Sequence, residues 1–306
     1  MLEGKVAIVT GAGRGLGRAE ALLLAKLGAK VVVNDLGVAA DGAGADQRPA
    51  DQVVSEIAAA GGPSSGRAVA NYADVADWDG AQSIIQQAVD TFGDLHILVN
   101  NAGFLRDRMV FNMAEEEWDA VIRVHLKGHF CMSRWATAHW RDRSKAAGEP
   151  VYGRIVNTSS EAFLVGSPGQ PNYAAAKAGI VALTLSTAQS CQRYGITANA
   201  ICPRARTRMT EDTLGGMFAK PEQGFDTFNP ENVAPLVAYL ASPAAERVSG
   251  QVFIVHGGSV SLLAGPRVEQ TFQAEGAWTA EALAQTLEPF YEKREPVKDG
   301  FVMPFR

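Results

Sequence analysis

Cysteine is scarce in this chain. Cys131, Cys191 and Cys202 are the only three in 306 residues, and none forms a C-x-x-C pair. That argues against a disulfide framework or a zinc ribbon, and points to free thiols in a reducing compartment with no metal centre. An excess of basic residues is also missing. The formal net charge is −5, which gives no electrostatic footprint for nucleic acid, although a local basic pocket fits within that average. No apolar run reaches the roughly 18 residues needed to span a bilayer. The start, Leu2-Glu3-Gly4-Lys5, has no basic segment ahead of a long apolar one, so no secretory leader is expected. The last four residues, Met303-Pro304-Phe305-Arg306, are not a peroxisomal address. Internal repeats and low-complexity blocks are lacking. The expectation is a cytoplasmic protein with no membrane and no nucleic-acid partner.

What is present is a globular composition, with 47% hydrophobic and 20% charged residues, in a chain long enough to bury a large core. Short β-branched runs alternate with longer helical patterns. Strands are expected at 6–10, 30–34, 68–71, 97–100, 154–158, 197–201 and 252–255, with helices at 17–27, 52–60, 79–92, 115–141 and 173–193. Strands alternating with helices imply βαβ units and a parallel sheet. Runs such as Val31-Val32-Val33 suit strands buried on both faces. Three segments depart from the alternation. Residues 37–51, rich in Gly, Ala and Asp, read as a surface loop. Residues 204–230, with Gly215, Gly216, Met217 and Phe218, read as a substrate lid. Residues 264–306 form a C-terminal extension after a domain spanning 1–263. There Leu283, Leu287, Phe290 and Tyr291 repeat at helical spacing behind Thr279, a candidate N-cap. That extension is expected to pack on the same subunit or a neighbour.

The first strand ends in Thr10-Gly11-Ala12-Gly13-Arg14-Gly15-Leu16-Gly17, and a helix follows. The pattern G-x-G-x-x-G is not met, because Leu16 stands where its third glycine belongs. The physics of a phosphate loop still applies. Glycines let the turn adopt positive φ and let backbone N–H groups approach a pyrophosphate, and the helix N-terminus faces the anion. A glycine-rich segment also serves bare turns, but strand, glycines and helix in that order strengthen the reading as a dinucleotide site. Asp35 ends the second strand, 18 residues after Gly17, near the spacing of the acid that grips the adenosine ribose. A carboxylate there accepts from both ribose hydroxyls and repels a 2′-phosphate, favouring NAD over NADP. Arg14 pulls the other way, and Asp35 also reads as a residue that merely ends a strand. Asp74, after the third strand, is placed to reach the adenine. Asn100-Asn101-Ala102-Gly103 closes the fourth strand, where small residues let the chain pass close to the cofactor.

Tyr173 and Lys177 stand four apart and share a helix face. A free phenol, with a pKa of about 10, is a poor base at neutral pH, and a nearby ammonium lowers that value. Tyr173 can then exchange a proton with a substrate hydroxyl while hydride leaves or joins the same carbon. Lys177 can also hold the nicotinamide ribose. Such pairs also occur on plain surface helices. Ser159 and Ser160 both end the fifth strand, and either hydroxyl can hold the reacting oxygen.

With these residues in place, the chain resembles the short-chain dehydrogenase/reductase family. The matches are the glycine segment 10–17, Asn100–Gly103, Ser160 and Tyr173-Ala174-Ala175-Ala176-Lys177. They cover roughly residues 5–260, in the family's order. The resemblance implies an α/β, doubly wound Rossmann fold, with a seven-stranded parallel sheet and helices on both faces. It selects Ser160, 13 residues before Tyr173, and assigns catalysis to Ser160, Tyr173 and Lys177. It places NAD on Gly11, Arg14, Gly15, Leu16, Gly17, Asp35, Asp74, Val75, Asn101, Ala102, Gly103, Tyr173, Lys177, Pro203 and Thr207. Two positions depart from the family pattern. His125 stands where an asparagine usually anchors a relay water, and reads either as a catalytic proton relay or as a structural histidine bonded to a helix carbonyl. Pro203-Arg204 replaces the usual Pro-Gly.

Residues 33–37, 105–108, 123–128 and 208–210 further resemble the dehydrogenase domains of peroxisomal multifunctional enzymes type 2 and their stand-alone bacterial relatives. That resemblance implies a secondary-alcohol substrate, a (3R)-3-hydroxyacyl-CoA or a 17β-hydroxysteroid. Arg204, Arg206 and Arg208 then read as contacts for CoA phosphates or as a solvated basic loop. Two further readings are an NADPH-dependent 3-ketoacyl reductase and a non-catalytic NAD-binding scaffold. The family resemblance also implies a homodimer or homotetramer built through the helices at 115–141 and 173–193.

Overall fold

The structure is a computed structural model that describes residues 1–38, 42, 44, 46–60, 67–207 and 219–295. Strands β1 (Val6–Thr10), β2 (Lys30–Asn34), β4 (Ile97–Asn100) and β5 (Gly153–Thr158) are buried almost throughout. This explains why they read as unbroken apolar runs: helices cover both faces. With β3 (Ala68–Asn71), β6 (Ile196–Pro203) and β7 (Val252–His256) they form the parallel part of the sheet. Alternate residues of β1 feed different cores. Ala7 and Val9 pack with Leu24, Val53 and Val237, whereas Val6 and Ile8 pack with Ile84, Met132 and Trp140.

The sheet order is β3-β2-β1-β4-β5-β6-β7-β8. The winding reverses between β1 and β4, and that switch point opens a crevice at the carboxyl edge. The seven expected parallel strands are all present, and the sheet gains an eighth strand that was not expected. β8 (Ser259–Leu262) runs antiparallel to β7, with His256 opposite Ser259 across Gly257-Gly258. Such a two-residue glycine turn favours a hairpin. All four residues of β8 are exposed, so no buried pattern announces the strand.

Among the described residues, the α-helices of the sheet-bearing part are α1 (Gly15–Lys26), α2 (Arg48–Ala60), α3 (Trp78–Phe92), α4 (Glu115–Ile122), α5 (Gly128–Ala147), a short α6 (Ala162–Val165), α7 (Pro171–Cys191) and α8 (Ala234–Leu240). Two expectations change. The supposed loop 37–51 already contains the first turn of α2, where Pro49 and Ala50 are buried. The supposed single helix 115–141 is α4 and α5, joined by a five-residue π turn, Arg123–Lys127. Such wide turns concentrate at functional sites, and this one carries His125. The segment 208–218, which includes Arg208 and the lid residues Gly215 to Phe218, lies outside the described residues.

The chain divides into two compact units, Met1–Leu262 and Leu263–Arg306. The second contains α9 (Ala280–Tyr291), capped by the Thr279 hydroxyl, which accepts from the Ala282 N–H at 3.1 Å.

One core residue makes stability depend on pH. Glu20 of α1 is 1% exposed and neither carboxyl oxygen has a partner. Burial pushes its pKa up from 4.5 to about 8. Below about 4.5 both folded and unfolded chains hold the proton. As pH rises to about 8 only the unfolded chain releases it, so stability falls across that window. The shift corresponds to a few kcal/mol, at about 1.4 kcal/mol per pKa unit. The melting temperature of Glu20→Gln relative to wild type is therefore expected to climb between about pH 5 and 8. Melting curves offset by the same amount at every pH would refute this.

Candidate active site

The turn after β1 is a cradle with no room for a side chain at Gly11 or Gly17. A Cβ on Gly11 (φ +63°) would lie 2.8 Å from the Ala102 Cα, and one on Gly17 2.3 Å from the Gly11 carbonyl. Hydrogen bonds stitch this turn to the end of β4. The Thr10 hydroxyl accepts from the N–H groups of Asn101 and Ala102 at 3.0 and 3.1 Å. The Asn101 amide donates to the carbonyls of Thr10 and Gly11 at 3.0 and 3.1 Å. α1 begins after Arg14, an N-cap residue whose side chain does not cap the helix, and its first turn has no acidic residue. Its first N–H groups around Gly15, Leu16 and Gly17 lack an acidic or capping side chain, which fits a bound pyrophosphate.

Asp35 lies beside this cradle. Its Oδ2 accepts from the Gly13 N–H and its Oδ1 from the Gly37 N–H, both at 2.7 Å. Each oxygen keeps a lone pair for a ribose hydroxyl. Thr207 borders Gly15, its Cγ2 3.5 Å from where a Cβ would stand. Pro203 ends β6 opposite Val255. Arg14 donates to the Val38 carbonyl at 3.4 Å. Asp74 accepts from the Ala76 N–H at 2.8 Å and pairs with Arg123 at 2.6 Å. The Val75 side chain is buried in the core, which leaves its backbone for any cofactor contact.

The two serines separate by environment. Ser159 is buried and donates to the Lys177 carbonyl at 2.9 Å. Ser160 hydrogen-bonds the Tyr173 phenol. Pro171 starts α7 and puts Tyr173 in its first turn, where the helix dipole favours negative charge. Sequence reasoning missed Asn172, a fully buried residue that sets this turn. Its amide donates to the carbonyls of Arg106 and Glu117, both at 3.0 Å, and its Oδ1 accepts from the Tyr173 N–H at 2.7 Å. The only signal for it was an asparagine between a helix-starting proline and the tyrosine.

Lys177 lies one turn further along, its Nζ 5.2 Å from the Tyr173 ring centroid and donating to the Thr158 carbonyl at 2.6 Å. His125 meets Tyr173 edge-on at 5.2 Å, and its Nε2 lies 2.8 Å from the carbonyl of Phe104. That carbonyl belongs to the segment after β4, not to a helix, which corrects the structural reading of this histidine. Gly103 must be glycine, because a Cβ there would fall 2.1 Å from the imidazole.

The expected lowering of the phenol pKa does not occur in the protein alone. Burial pushes Tyr173 up to about 12, against the hydrogen bond from Ser160. Burial also pushes Lys177 down to about 7. Desolvation is the largest cause of both shifts, so burial favours the neutral phenol and the neutral amine. The proposed phosphate contacts also change. Arg204 grips Glu161 with two bonds, at 2.5 and 2.6 Å, and Arg206 pairs with Asp226. Both of these cations are matched by carboxylates, which weighs against either as a ready phosphate contact. Arg208 is outside the described residues.

Comparison with known proteins agrees with this geometry. Residues 5–214 match the profile described as short chain dehydrogenase. The chain is 53% identical to hydroxyacyl-CoA dehydrogenase ChsB1 of Mycobacterium tuberculosis, over 96% of this chain and 91% of that protein. It is 42% identical to mouse peroxisomal multifunctional enzyme type 2, over 89% of this chain and 34% of that protein. A crystal structure of a short chain dehydrogenase from Mycobacterium avium superposes with a TM-score of 0.83 at 49% identity, covering 96% of this chain and 97% of that one. The chain therefore belongs to the short-chain dehydrogenase family, whose members are oxidoreductases that use a nicotinamide cofactor.

Proposed function

We propose that this protein oxidises a (3R)-3-hydroxyacyl-CoA to the 3-ketoacyl-CoA, with NAD as the hydride acceptor. One observation carries the chemistry: Ser160, Tyr173 and Lys177 converge next to the glycine cradle. The thioester is supported by the relative named hydroxyacyl-CoA dehydrogenase, which aligns over nearly its whole length. NAD is supported by Asp35, which follows β2 beside the glycine turn, where a carboxylate would repel a 2′-phosphate. Arg18 pairs with Glu56 and Arg48 with Asp46, whereas Arg14, which donates to the Val38 carbonyl, permits the NADPH-dependent reductase reading that Asp35 opposes.

Gly11 to Gly17 would hold the pyrophosphate, Asp35 the adenosine ribose, and Lys177 with Thr207 the nicotinamide half. When bound, the cofactor supplies the hydride acceptor and, in its oxidised form, a positive charge. Ser160 holds the reacting oxygen, and Tyr173 takes the hydroxyl proton as hydride departs. Lys177 stabilises the phenolate that this requires, aided by the first-turn position of Tyr173 on α7. In the reverse direction the phenol donates to the ketone. The intact Ser160, Tyr173 and Lys177 argue against a non-catalytic scaffold.

A homodimer or homotetramer is supported by exposed apolar residues on α4, α5 and α7: Trp118 (40% exposed), Phe130 (44%) and Leu185 (36%). Light scattering is expected to return at least a dimer mass, and a monomer at micromolar concentration would refute it. Three free thiols fit action in the cytoplasm, and no helix among the described residues is long and apolar enough to cross a membrane. The test of the function is NADH formation by the purified protein from a (3R)-3-hydroxyacyl-CoA. Turnover supports the proposal, whereas bound NAD without turnover of that thioester overturns the substrate class.

A further inference from the structure

Strands β5, β6 and β7 lie side by side and run parallel, so their ends meet at one edge of the sheet. The Ser159 N–H closes the ladder between β5 and β6 by donating to the Ile201 carbonyl at 2.7 Å. Ser160 therefore stands one residue beyond the last ladder bond. Its neighbours are joined by short-range bonds. The Ser160 Oγ accepts from the Ala162 N–H at 3.2 Å, and the Glu161 carbonyl accepts from the Leu164 N–H at 2.8 Å as α6 begins. Such bonds hold the turn together without fixing it to the sheet.

Arg204 supplies that attachment. It follows Pro203, the last residue of β6. Its backbone N–H donates to the Val255 carbonyl of β7 at 3.0 Å. Its guanidinium donates to both carboxylate oxygens of Glu161, at 2.5 and 2.6 Å, and its Nη1 meets the His256 Nε2 at 3.3 Å. A guanidinium only donates, so this Nε2 accepts and the imidazole carries its proton on Nδ1. One side chain thus joins the ends of three adjacent strands. The pair is largely buried, with Arg204 18% and Glu161 12% exposed. Desolvation offsets much of the attraction in such a pair, whereas the planar fork fixes its direction. Its consequence is geometric more than energetic. Pro203-Arg204 departs from the usual Pro-Gly, and a glycine has no side chain with which to reach Glu161.

We propose that Arg204 is a positioning residue for Ser160, gripping Glu161 so that the serine hydroxyl stays aligned with the reacting oxygen. The fork restrains the peptide between Ser160 and Glu161, and no proton or bond changes owner through it. A displacement on the order of 1 Å at a reacting group costs up to about 10²-fold in rate, so a modest loosening of this turn is enough to be read in kcat. This inference rests on the reading of Ser160 as the group that holds the reacting oxygen.

The test is a double-mutant cycle with Ser160. Arg204→Ala is expected to lower kcat about tenfold and to leave KM within about twofold. In a Ser160→Ala background the same change should cost less than about twofold, because the hydroxyl that Arg204 aligns is already gone. Arg204→Lys keeps the charge and loses the fork. It should lower kcat about threefold in the wild-type background and leave kcat unchanged in Ser160→Ala, and it takes the place of Arg204→Ala if that variant does not fold. An ion pair that only stabilises the fold predicts the same loss in both backgrounds. Equal losses, or no loss in either background, overturn the proposal. Amide hydrogen exchange reads the restraint without turnover. The Ala162 N–H is expected to exchange about tenfold faster in Arg204→Lys than in wild type, and an unchanged rate also overturns the proposal. A wild-type protein that turns over neither a (3R)-3-hydroxyacyl-CoA nor a 17β-hydroxysteroid would instead sink the proposed function, and the exchange rate would then decide whether Arg204 restrains the serine turn.

Discussion

Tyr173→Phe is expected to lower kcat on the order of 10³-fold, the scale of a general acid–base contribution, and to leave NAD affinity within about twofold. The ring stays, with its edge contact to His125 at 5.2 Å. The substitution removes the one oxygen that Ser160 bonds within the triad. Folding loses about one hydrogen bond, worth roughly 1 kcal/mol. The companion expectation concerns pH. In the protein alone burial holds Tyr173 at about 12, so the base form is scarce near neutrality. Alcohol oxidation should therefore rise with pH, and ketone reduction should rise as pH falls. A Tyr173→Phe protein that retains more than a tenth of wild-type turnover would show that another group carries the proton.

Asp35→Ala is expected to weaken NAD binding on the order of 10²-fold, since a hydrogen bond to a charged group contributes about 1.5–3 kcal/mol and two ribose bonds are lost. The turn also loses its anchors at the Gly13 and Gly37 N–H groups. NADP should lose less, because removing the carboxylate also removes its repulsion of a 2′-phosphate. The ratio of the two affinities therefore moves toward NADP. Titration with both cofactors checks this. Equal weakening would mean that Asp35 only shapes the turn and does not select the cofactor.

Much of the fold was legible in the sequence because buried parallel strands need continuous apolar runs. The runs at 6–10, 30–34, 68–71 and 97–100 coincide with β1, β2, β3 and β4. Strand β8 was not legible, since all four of its residues face solvent and only Gly257-Gly258 marked the hairpin. The start of α2 was hidden by the Gly- and Asp-rich stretch before it. The π turn at His125 has no periodicity of its own to read.

At the site, the i, i+4 spacing placed Lys177 beside Tyr173 as expected. Their charges were not legible, because burial sets both pKa values and burial belongs to the fold. Asn172, Thr10 and the Arg204–Glu161 pair hold the site through contacts to segments distant in sequence. Local pattern does not reach such contacts. The arginines after β6 read equally as phosphate contacts or as a solvated loop, and neither reading foresaw Glu161 facing Arg204 or Asp226 facing Arg206.

The most direct test is NADH formation by the purified protein with a (3R)-3-hydroxyacyl-CoA and a 17β-hydroxysteroid side by side, each with NAD and with NADP. The account predicts that the thioester with NAD gives the highest kcat/KM of the four combinations. A preference for the steroid, faster turnover with NADP, or no turnover while NAD still binds would contradict it.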